Sequence, residues 1–351
     1  MIASTYMLTK AEVTSWQQSG RQKLVMDHLD TSQTESVCGD FCNDRTMLSI
    51  CVATYNRGHL LERLLSSSRS RHGVPQLNNS IEWIIVDDGS TDNTKKVIDR
   101  WRENTLIKYV SQDNTGRAKA LKRAVLLASG RYTVIMDSDD YFSEDGLAVI
   151  LLQLNRLKSG TEISNRPIVG AMFGTLIVAK NTAASRQNLP TCEVRTNFVA
   201  ARADFGCSGD LKEVVDTHTL QKVFNEVDFD VRRIPTYLWW AKVSMQGDCL
   251  MIRKVVAVKE YMPDGMTANI FRLKTASPVP MTALYKLLSH APLYESVRYR
   301  MRSKLLWYRY ALLSGVTPEL SLMERILYSP AWFIYSMDRL RLAYMHRRIG
   351  Q

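Results

Sequence analysis

Between positions 47 and 142 apolar and polar residues come in blocks rather than in single alternating steps. MLSICVATYN, IEWIIVDDGSTDNT, LIKYVSQ and RYTVIMDSDD each hold an apolar run with little internal alternation that then turns polar. Runs of this kind read as strands buried on both faces. HLLERLLSSS, with Leu60, Leu61, Leu64 and Leu65 at helical spacing, NTKKVIDRWRE and GRAKALKRAVLLASG fall between them and predict helices, the last stopped by Gly130. Strands alternating with helices imply a parallel sheet with right-handed crossovers. Beyond RYTVIMDSDD a helix over EDGLAVILLQL is expected, with Ser143 as its N-cap and Glu144 and Asp145 in its first turn.

The second half is less regular. SGDLKEVVDTHTLQKVF predicts a short strand or turn and then a helix, RRIPTYLWWAKVSMQG a helix with Pro235 in its first turn, and CLMIRKVVAVKEY a pair of strands. From Pro280 onward the chain reads as helical, basic and aromatic. Residues 1–46 are polar, mixed in charge and weakly periodic, and are expected to be a loosely ordered extension. The resulting division is 1–46, then 47–275, split into a ligand-binding part at 47–150 and a second part at 151–275, then a helical region at 276–351.

Three polar clusters fall at strand C-terminal ends: Thr54-Tyr55-Asn56, Asp87-Asp88-Gly89-Ser90 and Asp137-Ser138-Asp139-Asp140. Open α/β sheets bind ligands along that edge. The third cluster places three carboxylates within four residues just after a buried run, where they repel one another. An Asp-x-Asp at a strand end can turn both carboxylates toward one hard cation, which takes oxygen ligands and shares its shell with substrate phosphates. Helix capping is the alternative, but it leaves Asp137, which lies before the turn, without a role. Asp140 is expected at the edge of the site. A carboxylate in VDDGSTDNT can accept from a nucleobase N–H or a ribose hydroxyl; the alternative is a turn in which Thr91 or Asp92 caps the next helix.

SICVATYNR, EWIIVDDGSTDNT and QDNTGRAKAL…ASGRYTVIMDSDD occur in the order and spacing of glycosyltransferase family 2, and the chain resembles that family densely over about 47–150. GDLKEVVDT, RRIPTYLWW and VVAVKEYMPDGMT extend a weaker similarity to one bacterial branch. The resemblance implies an inverting enzyme of the GT-A fold, Rossmann-like, with a mostly parallel central sheet flanked by helices, here with a helical C-terminal extension. By position, Thr54, Tyr55, Asn56 and Arg57 match the first nucleotide-contacting loop. Asp87 and Asp88 match the turn that binds base and ribose. Asn114, Gly116 and Arg117 match the loop approaching the nucleotide or sugar, and Asp137 and Asp139 match the Asp-x-Asp that holds ribose and metal. The metal implied is Mg2+ or Mn2+. The chain departs from the family where a usual proline is Ala53 and where a usual Asn and Gly are Lys122 and Ala124.

Inverting transfer needs a carboxylate to take the acceptor proton. The branch often shows Pro-Glu where this chain has Pro235-Thr236, and a threonine is no base at neutral pH. Asp210 and Glu213 match acidic positions of the branch and are the first candidates, in either order; Asp230 is the third. Trp239 and Trp240 suit either a stacked sugar or lipid acceptor or the core. His218 belongs on a helix surface.

Charge adds a partner. The net charge is +11, which favours polyanionic surfaces or phosphorylated substrates. From Met281 to Gln351 there are 11 Lys and Arg against 4 Asp and Glu, interleaved with Trp, Tyr and Leu. Basic amphipathic helices of this kind can lie in a membrane interface, with a helical subdomain packed on the core as the alternative. No run of apolar residues is long enough to span a membrane, and the N-terminus shows no signal-peptide core. The six cysteines form neither a zinc pattern nor a disulfide framework, as fits a reducing cytosol.

The expected activity is transfer of a sugar from a nucleotide-diphosphate sugar, with UDP as nucleotide, to a glycan or lipid-linked acceptor in surface polysaccharide or glycoconjugate synthesis. The setting expected is cytoplasmic, peripheral on the inner face of the membrane, with no nucleic-acid partner. A nucleotidyltransferase of similar sheet architecture is the alternative enzyme; the Thr236 departure motivates a nucleotide-sugar-binding protein without turnover.

Overall fold

The computed structural model describes residues 46–349 apart from 70–79, 159–165, 180–181, 186–188, 191, 232, 261–269 and 317–323. The N-terminal extension expected over 1–46 lies outside the described residues, save Thr46. Strands β1 (Leu48–Thr54), β2 (Ile81–Asp87), β3 (Ile107–Ser111) and β4 (Tyr132–Asp137) alternate with helices α1 (Gly58–Ser67), α2 (Thr94–Arg102) and α3 (Arg117–Leu126). All seven residues of β2 are buried, as a run without alternation requires. β5 (Asp140–Phe142), α4 (Gly146–Lys158), β6 (Ile168–Ala179), β7 (Thr182–Ser185), β8 (Val194–Thr196) and α5 (Ala200–Ala203) follow. Next come β9 (Lys212–Asp216), α6 (Thr217–Glu226), α7 (Thr236–Gln246) and β10 (Asp248–Glu260), then α8 (Ile270–Ala276), α9 (Pro278–His290), α10 (Val297–Leu313) and α11 (Glu324–Ile349).

The strands form one sheet in the order β3-β2-β1-β4-β9-β6-β10-β5, with β7 on β6 and β8 on β10. The β3-β2-β1-β4 half is wholly parallel, as the strand–helix alternation predicts. Beyond β4 the sheet is mixed: β9 runs antiparallel between β4 and β6, and β10 runs parallel to β6. CLMIRKVVAVKEY is not a strand pair but the single strand β10, irregular in its register with β6 between Ile252 and Val255 and again before Ala257. Ser143 does not cap α4; its hydroxyl donates to the Val255 carbonyl at 2.9 Å, tying the α4 entry to β10.

Each sheet face carries its own core. On one, Leu61, Leu64 and Leu65 of α1, Val97, Ile98 and Trp101 of α2, and Leu147, Ile150, Leu151 and Leu154 of α4 pack on Ile50, Ile85 and Val134. On the other, α3, α6 and α7 cover Cys51, Ile84, Val86 and Ile135. Trp239 stacks on Phe224 with ring centroids 4.2 Å apart, and Trp240 lies 5.8 Å from Phe198. Both tryptophans are therefore core residues and not an acceptor platform, a packing pair being worth roughly 1 kcal/mol beyond its burial. Leu284, Leu288, Leu293 and Tyr294 join the same core, so α9 and the segment after it are packed onto the sheet domain.

Candidate active site

Register sets the polar edge. Thr54 pairs with Asp87, Asp87 with Ser111, and Ala53 with Asp137, so the polar ends of four parallel strands lie in one row. The loops leaving this row are stitched together. Asp88 N donates to Thr54 O at 2.9 Å. Asn56 N donates to Ser90 Oγ at 2.9 Å, and Thr91 N to Asn56 Oδ1 at 2.8 Å, with Asn56 at φ +50°. Asp92 accepts from Gly58 N at 3.1 Å.

Asp87 and Asp88 are both buried and both engaged within the chain. Asp87 accepts from Ser90 N at 2.8 Å and from the Tyr109 hydroxyl at 3.0 Å. Asp88 accepts from Gln112 Nε2 and Thr115 N, each at 2.9 Å, and from Gly116 N at 2.8 Å. Gly116 can present that N–H because it sits at φ +98°, where a side chain would be strained. Asn114 lies in the same clamped loop, its backbone nitrogen 3.1 Å from where a Cβ on Gly89 would stand. Asp88 is thus a positioning residue for residues 112–116. Asp88→Asn turns an amide donor toward these backbone donors, and unsatisfied buried groups cost about 1–3 kcal/mol each. The expected result is a lower thermal midpoint together with weaker binding of UDP or GDP, measured by calorimetry.

At the β4 end, the carboxylates meet cations. Arg57 Nη1 lies 2.6 Å from Asp139 Oδ2. Arg117, the first residue of α3, pairs with Asp137 and donates to it from Nε at 3.1 Å. Lys259 Nζ is 3.9 Å from Asp137 and 2.7 Å from Asp210. Lys212 Nζ is 3.1 Å from Asp140, both buried. Burial alone would raise the Asp137 carboxyl, but Arg117, Lys259 and Lys212 outweigh it and hold it below the usual range. Burial raises the Asp140 carboxyl, against the pull of Lys212, and one of its oxygens is buried without a partner. Asp140 is therefore not an outlying member of the cluster but half of a buried ion pair.

Lys212 and Lys259 escaped the sequence reading. The signal was there, a lysine inside LKEVV and one at the end of VVAV, where only a paired charge tolerates burial. Topology explains why they arrive. β9 is antiparallel to β4, so its beginning, with Asp210 just before it, lies at the edge where β4 ends. β10 ends there too, Lys259 pairing with Asp140.

The three candidate bases differ in setting. Asp210 is half exposed and joins the acidic cluster through Lys259. Glu213 is buried on β9, 3.8 Å from Arg202; burial pushes its carboxyl up to about 7 against the pull of Arg202 and Lys212. Asp230 is 96% exposed and bound to Lys119 at 2.8 Å. Thr236, at the start of α7, is 3.4 Å from Arg117 Nη1. Tyr55 projects from the row with its side chain exposed, and the hydroxyl of Thr54 is buried without a partner. His218 is exposed on α6. Cys51, Cys192, Cys207 and Cys249 are free thiols; Cys38 and Cys42 lie outside the described residues.

Among the described residues no three His, Cys, Asp or Glu side chains gather round one point. At the β4 end, Asp137 and Asp139 keep 28% and 20% of their side-chain surface. Two hard oxygen donors fit a Mg2+ or Mn2+ ion whose remaining ligands are phosphate oxygens and water.

Comparison with known proteins agrees with this geometry. Residues 49–218 match the model of glycosyl transferase family 2. Abequosyltransferase RfbV of Salmonella typhimurium is 37% identical over 112 residues, 31% of this chain and 33% of that protein. Glycosyltransferase GlyG of Streptococcus pneumoniae is 31% identical over 121 residues, 34% of this chain and 38% of its own length. The matched region thus spans about a third of the length of these relatives. Among solved structures, S. aureus TarS 1–349 in complex with UDP-GlcNAc superposes with a TM-score of 0.57 at 15% identity, over 84% of this chain and 81% of that one. At that identity the likeness is one of fold. The stitched strand ends, the Asp-x-Asp after β4 and the match over 49–218 lead to one conclusion: residues 49–218 carry a domain of the glycosyl transferase family 2 type, in the GT-A fold.

Proposed function

We propose that the chain transfers a sugar, with inversion, from a UDP-sugar to a hydroxyl of a glycan or lipid-linked acceptor in surface glycoconjugate synthesis. The observation that carries this reading is the Asp137–Asp139 pair set opposite Arg57, Arg117 and Lys259 at the end of the row of strand termini. The exposed Tyr55 ring and the 112–116 loop flank the nucleotide. Asp137 and Asp139 would hold Mg2+ or Mn2+ against the diphosphate, where the ion supplies charge neutralisation for the leaving group. Arg57, Arg117 and Lys259 add fixed positive charge where the diphosphate gains negative charge, the kind of preorganised field that stabilises a transition state. Asp210, open to solvent and linked through Lys259 to Asp137, takes the proton from the attacking acceptor hydroxyl. A panel of sugar nucleotides assayed for transfer or hydrolysis with and without Mn2+ tests the reading, with the product's anomeric configuration read by NMR. Metal-independent turnover, or retention of configuration, would overturn it.

A membrane-surface acceptor is favoured by α11. Ile326, Phe333, Met337 and Leu340 are exposed and spaced to share one helical face, with Trp332 and Arg339 beside them. No helix among the described residues is long and apolar enough to cross a membrane. Lying in the interface buries this stripe, and nearby cations add roughly 1 kcal/mol each on anionic lipid. Ending the chain after Gly315 removes α11 but spares Leu284, Leu288 and Leu293 in the core. Full-length protein is expected to sediment with anionic vesicles at low salt and to be released at high salt, the truncated protein to stay in the supernatant. Identical partitioning of the two would assign α11 to packing alone.

A further inference from the structure

The turn that carries the Asp-x-Asp is held from behind by α1. Arg63 and Ser67 stand four residues apart on that helix and so share a face. Ser67 Oγ accepts from Phe142 N at 2.9 Å, fixing the end of β5. Arg63 Nη2 donates to the Asp139 carbonyl at 2.7 Å, and its Nη1 lies 2.6 Å from Glu260 Oε2 at the end of β10. The guanidinium lies over the Tyr141 ring, 4.5 Å from its centroid. One side chain thereby ties together α1, the turn between β4 and β5, and the last residue of β10. Lys259, the preceding residue of β10, pairs in register with Asp140, which brings Glu260 within reach. Asp139 is thus gripped twice by different arginines: Arg57, just before α1, meets its carboxylate, and Arg63 meets its carbonyl. A contact at the carbonyl fixes the backbone without occupying either carboxylate oxygen. A cation at the carboxylate competes with Arg57 but not with Arg63.

From this arrangement we propose that Arg63 is a positioning residue for metal binding: it holds the Asp139 backbone so that the carboxylate is available, with that of Asp137, to Mg2+ or Mn2+. Glu260 and Tyr141 fix the guanidinium for that task. The inference rests on the glycosyl-transfer reading and adds to it a residue that acts only through Asp139. Arginine suits the role because its planar fork reaches two acceptors at once while its face stacks on a ring. Groups that orient a metal ligand from behind typically contribute about 10–100-fold to metal affinity.

The test follows Mn2+ binding to the full-length chain by electron paramagnetic resonance, with and without UDP, and metal-free UDP binding by calorimetry. Arg63→Gln is expected to raise the Mn2+ dissociation constant about tenfold or more, while metal-free UDP affinity holds within about threefold. That split separates positioning from general loosening. The start of α1 is tied to the nucleotide loops through Gly58 N and Asp92, so a loosened helix would weaken UDP as well. Arg63→Lys keeps a cation able to reach the Asp139 carbonyl and should recover most of the loss, though it cannot hold both acceptors. Glu260→Gln should weaken Mn2+ in the same direction and by less. Arg100→Gln, which removes an exposed pair between α2 and Glu62 of α1, is the control and should change neither affinity. Unchanged Mn2+ affinity in Arg63→Gln overturns the proposal. So does an equal loss of Mn2+ and metal-free UDP, which would make Arg63 a support of the fold alone. If Arg63→Gln does not fold, Glu260→Gln decides by the same split. A wild type that binds UDP but no Mn2+ in either arm also overturns the proposal, while donor binding stands. A chain that binds no UDP sinks the glycosyl-donor reading itself, and the Mn2+ titration without UDP still decides the role of Arg63.

Discussion

Asp139→Asn is expected to reduce transfer by at least about two orders of magnitude, the scale of removing one preorganised electrostatic contact to a developing charge. The substitution keeps shape and removes charge. Its partner Arg57 is about a third exposed and loses little by being left in solvent, so folding stability should change by less than about 1 kcal/mol. The gain in nucleotide affinity on adding Mn2+ should shrink in the same variant. Asp137→Asn should behave alike in activity, and it also frees Arg117 and Lys259 to repel each other. Small and equal losses in both variants would show that the Asp-x-Asp does not hold the diphosphate.

Asp140→Ala gives a different outcome although it is the next residue. It strands the Lys212 ammonium in the interior beside an already desolvated strand. Breaking a buried pair from one side costs about 3–5 kcal/mol. The loss should therefore appear in urea or thermal unfolding, and pairing it with Lys212→Met should restore much of it. A stable Asp140→Ala protein with Asp139-like loss of activity would instead make Asp140 a participant in the chemistry.

Much of the parallel half of the fold is readable because burial on both faces leaves nothing else for runs such as IEWIIVD to be. That the polar residues after β1, β2 and β4 share one edge is readable for the same reason: polar residues that follow such runs fall together once the strands are parallel. What pattern could not supply is the mixed half. Whether β9 enters antiparallel between β4 and β6 depends on pairings formed across long sequence separations, and it decides that Asp210, Lys212 and Lys259 reach the β4 end. The irregular register of β10 with β6 hides one long strand as two short ones. Asp88 shows a further limit. Its type and place were legible, yet its buried oxygens serve the 112–116 backbone, a role visible only once the loop has closed. Trp239 and Trp240 sit in a helix with little amphipathic bias, so composition alone could not separate core from acceptor surface.

Asp210→Asn is expected to lower kcat by about two or more orders of magnitude with nucleotide affinity retained, as loss of a general base requires. Glu213→Gln separates the two neighbouring carboxylates because its signature lies in stability. The Glu213 carboxyl titrates near 7 in the folded chain, above its ordinary value near 4.5, since burial disfavours its charge. Between those values the native state holds a proton that the unfolded chain has released, so stability is greatest below pH 4.5 on this account and falls as pH rises through 7. Glu213→Gln removes that fall. Its unfolding free energy should match the wild type near pH 4 and exceed it above pH 7, with transfer reduced far less than in Asp210→Asn. A reversal would exchange the assignments: if Glu213→Gln abolishes turnover and the wild-type rate rises through pH 7 while Asp210→Asn remains active, Glu213 takes the acceptor proton and Asp210 only holds Lys259 in place. Near-normal rates in both would direct attention to Asp230, whose exposed carboxylate Lys119 now holds at the surface.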